Sequence, residues 1–189
     1  AGHETTVTAL TWTLYLLSQY PDVADKLRAE VDSVLGKRLP TLADLKDLTY
    51  TEQVIKEGMR VYPPVWSVAR QTQAVTELGG YPIGKYATAI IPIWSVHHDE
   101  RWYPNANTFE PERWGDERAE AVPRYAYMPF GGGPRICIGN SFAMMEAQLI
   151  LASIVQQYHL SHVEGHKVEP EPLVTLRPKH GMKMRLHKR

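Results

Sequence analysis

The chain has 189 residues, 43% of them hydrophobic and 22% charged, so it can build a sizeable core and is not a disordered tail. Its 21 basic and 21 acidic residues cancel, which argues against a nucleic-acid binder, a class that carries a basic excess. A single cysteine excludes an internal disulfide and fits a reducing compartment.

Residues 4–19 read as an apolar-rich helix that ends before Pro21. The chain opens at Ala1 inside this helix-like pattern, without Met, so an upstream segment is expected to precede it. Exposed apolar surface would then make the isolated chain poorly soluble or only partly folded. Pro21 suits the first turn of a second helix, in which Val23, Leu27, Val31, Val34 and Leu35 recur at helical spacing and Gly36 is the stop. Thr41 is placed to cap a short helix through Leu48. Thr49 or Thr51 is placed to cap the next, which runs to Tyr62 before Pro63-Pro64.

The texture then changes. Residues 67–74 and 81–93 are β-branched and alternating, broken by Gly79-Gly80 and Gly84. From Trp94 to Phe130 the chain is irregular and rich in Pro, Trp and Tyr, a length that is usually functional. Residues 139–158 read as a long helix with Phe142, Met145, Leu149, Ala152 and Val155 on related faces. Its apolar stretch is too short to span a bilayer and contains Glu146 and Gln148. The final segment, 173–186, reads as a hairpin turning near Lys179 to Gly181. Lys183, Arg185 and the closing His-Lys-Arg read as a solvated basic terminus. Helix with a minor sheet makes the class mainly α with minor β, α+β.

The chemistry concentrates in Phe130-Gly131-Gly132-Gly133-Pro134-Arg135-Ile136-Cys137-Ile138-Gly139, directly before the long helix. Its glycines let backbone pass close to something flat. Free amide N–H groups at a helix start, together with Arg135, stabilise a thiolate. A lone cysteine is otherwise a small buried hydrophobe or a nucleophile, and no His/Asn partner is signposted near it. A zinc site would need more thiols or clustered histidines, and only His97-His98 are adjacent.

The whole ten-residue segment resembles the haem-binding loop of the cytochrome P-450 family, Phe-x-x-Gly-x-Arg-x-Cys-x-Gly, at every fixed position. Glu57-Gly-Met-Arg60 is similar to the family's Glu-x-x-Arg, a pair on one helix face. Phe109-Glu-Pro-Glu-Arg113-Trp114 resembles its Pro-Glu-Arg-Phe segment, with Trp114 in place of Phe. Ala1-Gly-His-Glu4-Thr5-Thr6 resembles its Ala/Gly-Gly-x-Asp/Glu-Thr-Thr/Ser motif, although Thr alone could be a helix cap.

The resemblance implies the C-terminal portion of a single cytochrome P-450 domain, over residues 1–189, truncated within its central oxygen-side helix. It implies haem b, with Cys137 as axial iron ligand, Arg70 and Arg135 on the propionates, and Phe130, Gly131 and Gly139 around the group. It implies a buried triad of Glu57, Arg60 and Arg113, and proton delivery by Thr5 with Glu4 behind it. Val65, Trp66, Ser67, Leu173 and Val174 are the implied pocket residues, for an apolar organic substrate. His97 is a weaker propionate or structural candidate, and His98 stands where the family often has Arg. The implied activity is O2-dependent monooxygenation by a monomer fed by a ferredoxin or flavoprotein reductase, with no nucleic acid. A soluble cytoplasmic enzyme is expected, with an upstream membrane anchor left open. A haem-thiolate peroxygenase or isomerase, a haem carrier and an inactive fragment are the alternatives.

Overall fold

A computed structural model describes residues 2–115 and 117–189; Ala1, the first residue of the opening motif, lies outside the described residues. Helices α1 (Glu4–Gln19), α2 (Pro21–Leu35), α3 (Thr49–Val61) and α6 (Asn140–Gln157) pack around one core. Short helices α4 (Ile93–His97) and α5 (Glu117–Ala121) interrupt the long irregular region. Among the described residues, eight short strands form four separate antiparallel pairs: β1 (Val68–Gln71) with β4 (Thr88–Ile91), β2 (Thr76–Leu78) with β3 (Tyr81–Ile83), β5 (Tyr158–His162) with β8 (Met184–Lys188), and β6 (Pro170–Pro172) with β7 (Leu176–Pro178). The architecture is α+β, with helix dominant.

The periodicity of α2 sets its buried face. Val23, Leu27, Val31 and Leu35 lie inside, each worth about 1.5–3 kcal/mol when fully buried. On α6, Ala147, Leu151, Ala152 and Val155 turn inward. Phe142, read from the sequence as part of that helix's related faces, is 60% exposed at the opposite end of the helix. Helix α1 approaches α3 so closely that a Cβ at Gly58 would strike the Thr13 hydroxyl. That hydroxyl is itself committed to the Ala9 carbonyl at 2.8 Å, so it has little room to turn away.

Four sequence expectations change. Neither Thr49 nor Thr51 caps α3 by its own side chain; Leu48 is the cap residue. Glu30 of α2 does the work instead, accepting the Tyr50 and Thr51 N–H groups at 2.5 and 2.8 Å and the Thr51 hydroxyl at 2.7 Å. A carboxylate suits the positive end of a helix better than a hydroxyl does. Thr41 is the cap residue, as expected, but of a single 3-10 turn, Leu42–Asp44, rather than of a helix through Leu48; its N–H and hydroxyl donate to Asp44. The terminal residues do not form their own hairpin. Strand β7 pairs back onto β6, and β8 crosses to β5, immediately after α6. Prolines close both ends of the short β6–β7 ladder and withhold N–H donors from any longer pairing. The segment 81–93 likewise divides into β3 and β4, in different ladders. Gly79 and Gly80 turn β2 into β3 with φ of 59° and 84°, the paired positive values of a tight two-residue hairpin. Among the described residues no helix is long and apolar enough to cross a membrane.

Candidate functional site

Segments distant in sequence meet around one cavity of about 580 Å³. The first turn of α1 contributes Thr5, α3 contributes Met59, the stretch after α3 contributes Val65 and Arg70, and the loop before α6 contributes Phe130, Gly131, Arg135, Cys137 and Gly139. The wall is mostly apolar, with a thiol and two guanidiniums set into it. That is the composition of a site for a largely apolar ligand fixed by a few polar groups.

The loop is built by its own backbone. The Gly131 N–H donates to the Met128 carbonyl at 3.0 Å, and the Cys137 N–H returns to the Phe130 carbonyl at 3.0 Å. Gly131 has φ of 73°, a left-handed value that a side chain would strain. A Cβ at Gly132 would press on the Tyr125 ring at 2.9 Å, and one at Gly139 would touch the Cys137 sulfur at 3.9 Å. Glycine therefore leaves the sulfur uncovered, and Cys137 is exposed rather than buried as a small hydrophobe. Helix α6 starts three residues later, with its free N–H groups at this end.

The structure divides the remaining sequence candidates. Arg70 and Arg135 are exposed and on the cavity wall. Of the implied pocket residues only Val65 reaches that wall. Trp66 turns its indole away and donates to the Leu173 carbonyl at 2.7 Å. Leu173 and Val174 protrude at the β6–β7 tip, Val174 at 91% exposure, and Ser67 is half-buried outside the wall. Glu4 also lies off the wall, where it accepts the Thr175 hydroxyl at 3.2 Å. Met59 and Phe142 line the cavity without having been singled out; Met59 follows Ile55 by one helical turn, a spacing that could have found it.

Behind this wall sits a buried ion cluster. Glu57 and Arg60 are 0% exposed and Arg113 is 3% exposed. Arg60 Nε and Nη2 donate to the two Glu57 oxygens at 3.0 and 2.8 Å. Its other N–H groups donate to the carbonyls of His97, Ala106 and Thr108 at 2.7–2.9 Å. Arg113 Nε lies 3.4 Å from Glu57, and its Nη2 reaches the Pro104 carbonyl. Both guanidiniums stand over the Tyr103 ring, at 5.1 and 5.7 Å. Trp114 adds a bond the sequence did not announce: its indole N–H donates to Glu57 Oε2 at 2.8 Å. The phenylalanine usual in the resembled motif has no such donor.

His97 belongs to this interior and not to the cavity. It is fully buried, stacks on Tyr127 and accepts the Met128 N–H at Nε2, 3.0 Å away. Burial, helped by the nearby Arg60 charge, pushes it down to about 3, so the ring is neutral. His98 stacks on Trp94 and bonds its carbonyl through Nδ1 at 2.8 Å, so it does not stand in for an ion-pairing arginine.

The cytochrome P450 family profile matches residues 1–184, and the chain belongs to that family. It is 43% identical over 176 residues to cyclooctatin synthase of Streptomyces melanosporofaciens, covering 93% of this chain and 38% of that protein. It is 43% identical to putative cytochrome P450 132 of Mycobacterium tuberculosis over 96% of this chain and 39% of that protein. It is 41% identical to human cytochrome P450 4V2 over 100% of this chain and 36% of that protein. The chain thus spans less than two-fifths of the length of these relatives.

The family implies a haem cofactor, and the cavity's chemistry suits one. A single uncovered sulfur could serve as a protein ligand to the iron, and apolar walls suit a macrocycle. Two arginines on the wall suit its carboxylates. No cluster of three or more His, Cys, Asp or Glu side chains offers a competing metal site among the described residues.

Proposed function

We propose that this chain is the C-terminal part of a single haem-thiolate monooxygenase domain that inserts one oxygen atom of O2 into an apolar organic substrate. Electrons come from a ferredoxin or flavoprotein reductase, and the working enzyme is a monomer. The observation that carries this reading is the shared cavity: Cys137 and Thr5, 132 positions apart in the chain, line one apolar space with Arg70 and Arg135.

Haem b, when bound, supplies the dioxygen-activating chemistry. The residues of this chain supply its setting. Cys137 would hold the iron through its sulfur, which sits just before the start of α6. Arg70 and Arg135 would serve the haem carboxylates as donors. Phe130, Gly131 and Gly139 shape the space against the ring and keep the sulfur clear. Thr5, on the cavity wall, would hold and pass a proton through its hydroxyl, and Glu4 on the same helical turn would supply it. Val65 is the substrate contact on this wall. The Glu57–Arg60–Arg113 cluster touches none of the reacting atoms and holds the long irregular region in place so that the loop is positioned. The presence of Thr5 on the wall favours oxygen activation over a haem-thiolate isomerase, which has no need of a proton donor there.

Full-length protein is loaded with haem, reduced and exposed to carbon monoxide, beside Cys137→Ser. A strongly red-shifted Soret band that is lost in the variant is the expected result. The same spectrum in both proteins would overturn the ligand assignment and the function built on it.

A further inference from the structure

The tip of the β6–β7 hairpin is clamped from three directions. The Trp12 indole of α1 donates to the Leu176 carbonyl at 2.7 Å, and the Leu176 N–H donates to the Pro64 carbonyl at 2.8 Å. The Trp66 indole donates to the Leu173 carbonyl at 2.7 Å. Within this clamp Leu173 and Val174 are exposed, while Thr175 between Val174 and Leu176 is buried. Its hydroxyl donates to Glu4 Oε1 at 3.2 Å. Glu4 is otherwise an exposed residue on the first turn of α1, with a flexible side chain that a fixed partner would order. Glu4 is not among the residues on the cavity wall, whereas its chain neighbour Thr5 is. The Thr175 hydroxyl holds the Glu4 carboxylate at the side of that wall.

We infer that Thr175 is a positioning residue: its clamped hydroxyl fixes the Glu4 carboxylate beside Thr5 for proton supply. A valine at 175 would fill the same space without the hydrogen bond, so the hydroxyl separates this role from packing. The clamp gives the role its stiffness, because the hydroxyl rides on a backbone tied to α1 itself and to the segment after α3. The inference rests on the proton-handling reading of Thr5 and adds a residue that the cavity wall does not contain.

The test uses the full-length haem-loaded enzyme as wild type, Thr175→Val, Thr175→Ser, Glu4→Gln, the Thr175→Val/Glu4→Gln pair and Thr5→Ala. Coupling is read as product formed per reductant consumed. Thr175→Val should lower coupling by roughly tenfold or more, the scale of one hydrogen bond to a charged group. Thr175→Ser should restore it, and the double variant should couple no worse than Glu4→Gln alone. Independently of turnover, the carboxyl carbon resonance of Glu4 should move in Thr175→Val and return in Thr175→Ser. Normal coupling in Thr175→Val while Thr5→Ala uncouples would overturn this inference alone, as would losses that add to those of Glu4→Gln. Normal coupling in Thr5→Ala would remove the parent reading and this inference together.

Discussion

Charge is handled in opposite ways in two parts of this molecule. Around Glu57 every guanidinium N–H of Arg60 has an acceptor, and the carboxylate takes donors from Arg60, Arg113, Trp114 and the Glu110 backbone. Around Cys137 the charged groups Arg70 and Arg135 are exposed on a cavity wall, and the sulfur is kept uncovered by glycine. Desolvating ions is costly, so a buried cluster persists only when its geometry answers every donor and acceptor. An exposed set carries no such requirement and is free to meet a ligand. On the proposed reading, the difference separates residues that support the fold from residues that would meet the ligand.

The comparison breaks first at Arg60. Arg60→Ala leaves the Glu57 carboxylate buried with fewer donors and strands three carbonyls from the irregular region. Removing one partner of a buried pair costs about 3–5 kcal/mol, so the denaturation midpoint should fall steeply and haem content with it. Normal haem content together with a wild-type midpoint would show that the cluster does not position the loop. Arg135→Gln, by contrast, should leave the midpoint of the haem-free chain nearly unchanged.

A second difference shows in acid. His97 sits among the carbonyl acceptors of the cluster, neutral and held down to about 3 by burial. The unfolded chain protonates this ring near its ordinary value of 6.5, so between 6.5 and about 3 the unfolded state binds the extra proton. The contribution of neutral His97 is full above 6.5 and is lost as pH falls through that window, by about 1.4 kcal/mol per pH unit. His97→Gln keeps an acceptor for the Met128 N–H and removes the titration. Its stability should therefore decline less between pH 7 and 5 than that of the wild type in urea titrations. Parallel pH profiles would place His97 outside the buried network.

The sequence made these two regions visible to different degrees. The helices α1, α2, α3 and α6 are legible because apolar residues at 3.6 spacing must face something, and Leu27 or Leu151 do so. The loop around Cys137 is legible because its pattern lies within ten consecutive residues and its glycines answer local backbone needs. The cap on α3 was not, since Glu30 comes from another helix and no local pattern announces it. The same limit hid the strand partners at the end of the chain, where β8 chooses β5 over its neighbour β7. Trp114 shows the limit at the scale of one atom. Its aromatic character fits the motif, yet the indole N–H that serves Glu57 follows only from where α3 and the 3-10 turn Pro111–Trp114 meet.

The smallest effect is expected at the sulfur itself. Cys137 is exposed, so Cys137→Ser exchanges a solvent-facing thiol for a hydroxyl without opening a buried cavity. Surface changes of this kind fall within about ±0.5 kcal/mol, far below the loss at Arg60. The haem-free protein should therefore show overlapping urea curves for wild type and Cys137→Ser, while only the wild type gains stability when haem is added. Ligand binding at free concentration c stabilises the native state by RT ln(1 + c/Kd), so at one haem concentration the gap between the two curves measures what the Cys137 sulfur contributes to binding. A large loss already present without haem would mean that Cys137 supports the loop as packing, and the contrast between a supporting cluster and an acting loop would fail at its centre.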